Sequence, residues 1–118
     1  MAKIKVALAL GSGGARGLTQ IGVIEELEKS NMEVVSISGT SIGSLIGGLY
    51  ANKHLQDFKN WISNLDESGV FDLVDFTLNK QGFVKGERVF NEMRKFIPDV
   101  NIEDLPIPYS AVAADLNS

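Results

Sequence analysis

Two glycine-rich turns, each placed directly after a short apolar run, restrict the fold of this sequence more than any other feature. The first apolar run, Ile4 to Leu10, leads into Gly11-Ser12-Gly13-Gly14. The second, Val34 to Ile37, leads into Gly39-Thr40-Ser41-Ile42-Gly43. Short runs rich in Val and Ile that end at glycine are typical of buried strands in a parallel sheet.

The segments that follow the two turns have helical character. Ile42 to Ala51 is apolar and glycine-rich, which predicts a helix buried on most sides, and Ser30-Asn31 is a plausible stop for the helix before it. A helix between two strands implies a parallel sheet with right-handed connections, so the sequence predicts an α/β fold. The amphipathic spacing of the first helix comes from Leu18, Ile21, Ile24 and Leu27.

The pattern is weaker beyond Ala51. The second helix is predicted to continue through Leu55 to Leu65, and another helix is predicted from Gly86 to Ile97, with an irregular aromatic stretch from Phe71 to Phe83 between them. A third strand is predicted from Tyr109 to Leu116, after a loop framed by prolines. There is no internal repeat and no low-complexity linker, and 118 residues are enough for one domain.

Charge and composition exclude several classes of function. The net charge of −4 argues against nucleic acid as a partner, because neutralising phosphates needs a basic face. The absence of cysteine excludes disulfides, thiolate catalysis and cysteine-based metal sites. The N-terminal apolar run is too short for a signal peptide, and no run approaches the roughly 20 apolar residues that span a bilayer. We expect a cytoplasmic protein, with peripheral membrane binding left open, and we expect no metal and no cofactor.

The second turn fits the pattern G-x-S-x-G between a strand and a helix. A nucleophile at such a turn has a strained backbone, and its neighbours two positions away must be small so that the chain can pass itself. The N-terminus of the following helix favours negative charge beside the hydroxyl, which we expect to be lifted above the sheet edge. Ser41 is therefore the candidate nucleophile, although a structural turn serine also satisfies the bare pattern.

The first turn supplies the second half of a candidate site. Glycine allows backbone N–H groups to face a concave site, which makes the segment from Gly11 to Gly17 a candidate anion cradle. Because one helix joins the two strands, both turns are expected at the same carboxyl edge of the sheet. A hydroxyl on one turn and N–H donors on the other form an arrangement suited to acyl transfer.

Other catalytic and binding patterns fit less well. A P-loop needs Lys-Ser or Lys-Thr after its last glycine, and neither follows Gly17. The dinucleotide pattern G-x-G-x-x-G is out of register by one residue, and Gly39-Thr40-Ser41 occupies the position of its acidic residue. The single histidine, His54, lies thirteen residues beyond Ser41. A continuous helix would carry it roughly 20 Å away, so we expect a surface residue and not a catalytic base.

Three segments, Leu8 to Gly17, Ile21 to Val23 and Ser38 to Gly43, together resemble the bacterial patatin-like phospholipases. The resemblance implies a three-layer α/β/α fold with a mainly parallel sheet, in which residues 1–118 are the N-terminal portion of a single domain. It also implies a lipid acyl hydrolase with a Ser–Asp dyad. Its partners would be a fatty-acyl ester or phospholipid substrate, at a membrane surface in some settings, and the remainder of the same domain.

The resemblance also assigns residues by position. Ser41 corresponds to the nucleophile, and Gly13 and Gly14 correspond to the oxyanion-hole donors. Arg16 matches a basic residue of the family loop, whereas Ser12 stands where glycine is usual and still offers a backbone N–H. The supporting residues of the loop and the turn are Gly11, Arg16, Gly17, Gly39 and Gly43.

One part of the family site has no counterpart in the sequence. The dyad aspartate of the family lies in an Asp-Gly pair, and this sequence contains no such pair; Asp115 matches an earlier strand position. We therefore expect the base to lie outside this chain, and the chain alone to be inactive, because a serine hydroxyl needs an adjacent base. A non-catalytic lipid-binding or regulatory homologue and an acyltransferase with the same nucleophile remain as alternatives. A histidine-dependent α/β-hydrolase or malonyl-type acyltransferase would need a downstream histidine.

Overall fold

A computed structural model describes residues 2–66, 68–69 and 90–113 of the chain. In this part the chain forms three strands and three α-helices, with two short 3₁₀ helices at Gly14–Leu18 and Ile102–Asp104. Residues 90–94 are helical as well. The elements in chain order are β1 (Ile4–Leu10), α1 (Thr19–Lys29), β2 (Met32–Thr40), α2 (Ile42–Ala51), α3 (Leu55–Ser63) and β3 (Tyr109–Val112).

The strands form one parallel sheet in the order β1-β2-β3. Leu10, the last residue of β1, pairs with Gly39 near the end of β2, and Val112, the last residue of β3, pairs with Thr40. All three strands therefore end at the same edge. This confirms the predicted α/β fold and the expectation that the two glycine-rich turns leave the sheet together.

The element bounds agree with the sequence prediction in part. β1 has the predicted bounds, whereas β2 begins two residues before the predicted Val34 and ends one residue beyond the predicted Gly39. The expectation that the second helix continues through Leu55–Leu65 is wrong: α2 ends at Ala51, Lys53 has φ 64°, which an α-helix does not allow, and the separate helix α3 ends at Ser63. β3 ends at Val112, before the predicted Leu116. The predicted stretch from Phe71 to Phe83 lies outside the described residues, as does the start of the predicted helix Gly86–Ile97.

The helices α1 and α2 cover one side of the sheet. Their apolar residues share a single core with inward-facing residues of the strands. α2 contributes Ile42 and Ile46, which are fully buried, and α3 contributes the fully buried Phe58. Burial of such side chains stabilises a fold by about 1.5–3 kcal/mol each. Because α2 packs over all three strands, the core fixes the helix that begins directly after Ser41.

The opposite side of the sheet carries small side chains. They line a cavity of about 360 Å³ and are exposed or half-buried. Within the described ranges no helix shares a core with this side. The small residues on this side are Ala7, Ala9, Ser36, Ser38 and Ser110.

Candidate active site

Ser41 is the single residue between β2 and α2. Its backbone has φ 56° and ψ −127°, a region that is costly for a residue with a β-carbon and that raises the free energy of the folded state by about 1–3 kcal/mol. The sequence pattern predicted a strained strand-to-helix turn at this position, and the structure confirms it. Such strain indicates a position whose conformation is imposed by the surrounding packing.

The Ser41 hydroxyl is enclosed. Its Oγ is buried and has no hydrogen-bond partner among the residues that the structure describes. The expectation that the turn lifts this hydroxyl above the sheet edge stays a prediction. Unpaired buried hydroxyls are rare, because each lost hydrogen bond costs about 1–3 kcal/mol. The Ser41 hydroxyl is therefore able to bond to a group that is not among the described residues.

The two glycines that flank Ser41 are required by the close approach of backbone to backbone. A β-carbon on Gly39 would lie 2.5 Å from the carbonyl oxygen of Gly43 and 2.7 Å from the Cα of Ser44. A β-carbon on Gly43 would collide with the carbonyl oxygen of Leu10 and lie 2.6 Å from that of Gly11. The chain therefore passes itself at this turn with no room for a side chain, as the motif predicts.

The glycine loop after β1 also has backbone angles that favour glycine. Gly13 has φ 153° and Gly14 has φ 57°, where L-residues with side chains are disfavoured. Gly14 starts a 3₁₀ helix, so its N–H has no acceptor within that helix. Within the described part of the chain, the Gly13 N–H makes no hydrogen bond. Among the described residues, no acceptor binds the N–H groups of Gly13 and Gly14, the two positions predicted as donors.

The glycine loop packs directly against the Ser41 turn. The Cα of Gly17 lies against the side chain of Ile42, and a β-carbon on Gly17 would collide with its Cγ2. At a second point, the Gly11 carbonyl faces the Cα of Gly43. These contacts hold the loop beside Ile42 and Gly43, the first and second residues after Ser41.

Hydrogen bonds fix the start of α2. The Ser41 carbonyl accepts from the Ser44 N–H at 2.9 Å and from the Ser44 Oγ at 2.6 Å. The Ser44 carbonyl in turn accepts from the Tyr109 hydroxyl of β3 at 2.7 Å. Burial raises the pKa of Tyr109 above its ordinary value, and the Ser44 side chain lowers it by a smaller amount. At neutral pH the phenol keeps its proton and ties the first turn of α2 to the neighbouring strand.

The remaining predicted residues are placed as follows. Arg16 lies exposed in the 3₁₀ helix of the loop and forms no ion pair with the described residues. His54 directly precedes α3, and Ser41 lies at the other end of α2. The Nδ1 of His54 lies 2.8 Å from the Asp57 carboxylate. The helix from Ser41 does not run through it, since α2 ends at Ala51. Asp115 lies outside the described residues.

Residues 2–66, 68–69 and 90–113 contain neither a candidate metal site nor a candidate membrane span. No cluster of three or more His, Asp or Glu side chains has the arrangement of a metal site. None of the helices in these ranges combines the length and the apolar character that crossing a bilayer requires.

Sequence reasoning missed three residues that hold the site. Ser44 and Tyr109 fix the start of α2, and the Gln20 amide of α1 donates to the Gly11 carbonyl at 3.0 Å. Only the Ser44 contact is local. Ser44 lies three residues after Ser41, and this spacing of about one helical turn is the signal by which the sequence could have shown the contact. The other two contacts depend on how the elements pack.

Comparison with known proteins agrees with the resemblance. The family model described as patatin-like phospholipase matches residues 8–117. An NTE family protein of Mycobacterium tuberculosis is 42% identical over 112 residues, which cover 95% of this chain and 31% of that protein. The chain thus spans about a third of the length of this relative.

Two animal proteins are similar as well. The human patatin-like phospholipase domain-containing protein 6 is 35% identical over 118 residues, which cover 96% of this chain and 8% of that protein. Neuropathy target esterase sws of Drosophila persimilis is 29% identical over 118 residues, which cover 96% of this chain and 8% of that protein.

Proposed function

The chain belongs to the patatin-like phospholipase family, and on that premise we propose that it forms the nucleophile half of a serine hydrolase that cleaves fatty-acyl esters of lipids. The observation that carries this proposal is Ser41 itself. It combines a strained backbone, a buried hydroxyl without a partner among the described residues, and a glycine loop packed against the residue that follows it.

In the proposed reaction, the Ser41 Oγ attacks the carbonyl carbon of the ester while its proton passes to a base. The carbonyl oxygen becomes anionic, and the N–H groups of Gly13 and Gly14 donate to it. Collapse of this intermediate expels the alcohol, which takes up the proton, and leaves an acyl group on Ser41. Water then attacks the acyl-enzyme and releases the fatty acid.

The base in this proposal is an aspartate outside the 118 residues. Supporting this, the sequence lacks the Asp-Gly pair in which the family carries its dyad aspartate, and no described carboxylate hydrogen-bonds to the Ser41 hydroxyl. The names of the animal relatives, a phospholipase domain-containing protein and an esterase, are consistent with ester substrates. The exposed charge of Arg16 beside the loop suits an anionic head group.

The test uses the full-length protein that carries this sequence. A fluorophosphonate probe and a fatty-acyl ester substrate are applied to the wild type, to Ser41→Ala and to Ser63→Ala, which alters an exposed serine on α3. We expect labelling and fatty-acid release in the wild type and in Ser63→Ala, and loss of both in Ser41→Ala.

Other outcomes identify the alternatives. Wild-type protein that folds but neither labels nor releases fatty acid would overturn the hydrolase proposal in favour of a non-catalytic homologue. Transfer of the acyl group to an added alcohol in preference to water would identify an acyltransferase with the same nucleophile.

A further inference from the structure

The Gln20 side chain, at the start of α1, hydrogen-bonds to the first residue of the glycine loop. It is the second residue of α1, and its Nε2 donates to the carbonyl oxygen of Gly11 at 3.0 Å, nine residues earlier in the chain. Gly11 is the first residue after β1 and lies two residues before Gly13 and three before Gly14, the predicted oxyanion donors. The Gln20 side chain therefore links the helix that follows the loop to the residue at which the loop begins.

The carbonyl that Gln20 binds lies where the loop meets the Ser41 turn. A β-carbon on Gly43 would be 2.6 Å from this oxygen, so the Gly11 carbonyl lies in contact with the backbone two residues after Ser41. Rotation of the Gly11 peptide would change that contact. It would also turn the next residues of the loop, because consecutive peptide planes share a Cα. Gln20 thus acts on the point where the two halves of the site touch.

Few side chains in the described part of the chain hydrogen-bond to this loop. Among the described residues, one further side chain binds a loop carbonyl: the Thr19 Oγ1, which donates to Arg16 at 2.8 Å. That contact lies beyond Gly13 and Gly14, in the 3₁₀ helix, whereas the Gln20 contact lies before them. Gly13 is exposed and has a glycine-type backbone, so it has little intrinsic preference for one conformation. The position of its N–H therefore depends on the restraints on either side.

The Gln20 amide is oriented so that its Nε2 donates to the Gly11 carbonyl. The Oε1 is buried and has no hydrogen-bond partner in the described ranges. Turning the amide over would place this oxygen against the Gly11 carbonyl, acceptor against acceptor, and would lose the bond that Nε2 donates. A buried amide oxygen without a donor lowers stability. The hydrogen bond from Nε2 to the Gly11 carbonyl offsets part of this cost.

We propose that Gln20 is a positioning residue, which holds the Gly11 carbonyl against Gly43 and so keeps the N–H groups of Gly13 and Gly14 aligned with the oxygen that becomes anionic when Ser41 attacks. This inference rests on the proposed function. Gln20 itself touches neither the nucleophile nor the reacting atoms in this account. Its loss affects the transition state, where the oxyanion develops, and leaves substrate binding nearly unchanged.

The test measures kcat and KM of the full-length protein for a fatty-acyl ester in three proteins: the wild type, Gln20→Met and Gln56→Met. Gln56 is a matched control, since it is an exposed glutamine on α3 that also donates from Nε2, there to Asn60. Active sites are titrated with a fluorophosphonate, so that kcat refers to folded, reactive protein. We expect Gln20→Met to lower kcat by about ten- to a hundredfold with KM within about twofold. Gln56→Met is expected to resemble the wild type.

The variant Gln20→Glu supplies a readout that a general loss of packing would not produce. An ionised carboxylate cannot donate to the Gly11 carbonyl, but a protonated carboxyl can. We therefore expect the ratio of its kcat to that of the wild type to rise as pH falls from about 8 to about 5, because a half-buried carboxyl protonates at or above its ordinary pKa of about 4.3. If Gln20→Met fails to fold, this ratio decides the question.

The outcomes separate the two proposals. A wild type without Ser41-dependent turnover overturns the proposed function, and the positioning role with it. Normal wild-type activity together with a kcat of Gln20→Met within twofold of wild type overturns the positioning role alone. A flat pH ratio for Gln20→Glu does the same.

Discussion

The Cα of Gly17 lies against the side chain of Ile42 so closely that a β-carbon on Gly17 would overlap the Cγ2 of Ile42. Ile42 is fully buried and directly follows Ser41. This contact joins the glycine loop to the first residue of α2, and it explains why the last glycine of the loop cannot carry a side chain.

Gly17→Ala should therefore be destabilising. Its methyl group would push Ile42 away from the core, and overpacking of this kind costs about 1–3 kcal/mol in the free energy of unfolding. Gly22→Ala is the matched control, because Gly22 lies within α1 with open space around its Cα, and alanine there should stabilise the helix by about 0.5–1 kcal/mol. Urea unfolding of both variants measures the difference. Equal effects of the two substitutions would contradict the steric account.

Ser41→Gly should be more stable than Ser41→Ala. Both variants remove the hydroxyl, but only glycine adopts φ 56° and ψ −127° without strain. Relief of about 1–3 kcal/mol of strain outweighs the extra chain entropy of about 0.5–1 kcal/mol that glycine loses on folding. Thermal and urea unfolding of the two variants test this. A less stable Ser41→Gly would show that the turn is not strained.

Tyr109→Phe should lower stability by about 0.5–1.5 kcal/mol, because it removes the 2.7 Å hydrogen bond to the Ser44 carbonyl and keeps the aromatic ring. Tyr109→Leu should cost more. The ring of Tyr109 lies on the glycine surface of α2, where β-carbons on Gly47 and Gly48 would each be 3.5 Å from it. Equal stability of Tyr109→Phe and the wild type in urea unfolding would show that the bond makes no net contribution.

Alkaline pH should weaken the fold through Tyr50. Burial first, and then the hydrogen bond and charge of Glu28, raise the pKa of Tyr50 from 10.0 to about 12. Between these values the folded chain keeps a proton that the unfolded chain releases, so stability is fully present below pH 10 and is lost as pH rises toward about 12. The stability lead of the wild type over Tyr50→Phe should therefore shrink across this window in urea unfolding. A lead that stays constant would argue against the raised pKa.

Much of the fold and part of the site followed from local sequence. The bounds of β1 and the start of α2 were predicted as they are found, because short apolar runs punctuated by glycine specify strands and turns within a few residues. The strained turn at Ser41 was predicted for the same reason, since G-x-S-x-G imposes its geometry over five residues. The roles of Ser41, Gly13 and Gly14 in catalysis stay predictions.

The sequence by itself determined which residues form the Ser41 turn and the glycine loop, since both are set by backbone sterics between near neighbours. The tertiary structure alone decided how the two meet. The contact of Gly11 with Gly43, the reach of Gln20 back to Gly11 and the burial of the Ser41 hydroxyl exist only when the two strands pair in their observed register and α2 packs on them. Such contacts join residues that are distant along the chain, and no local pattern of residue types encodes them.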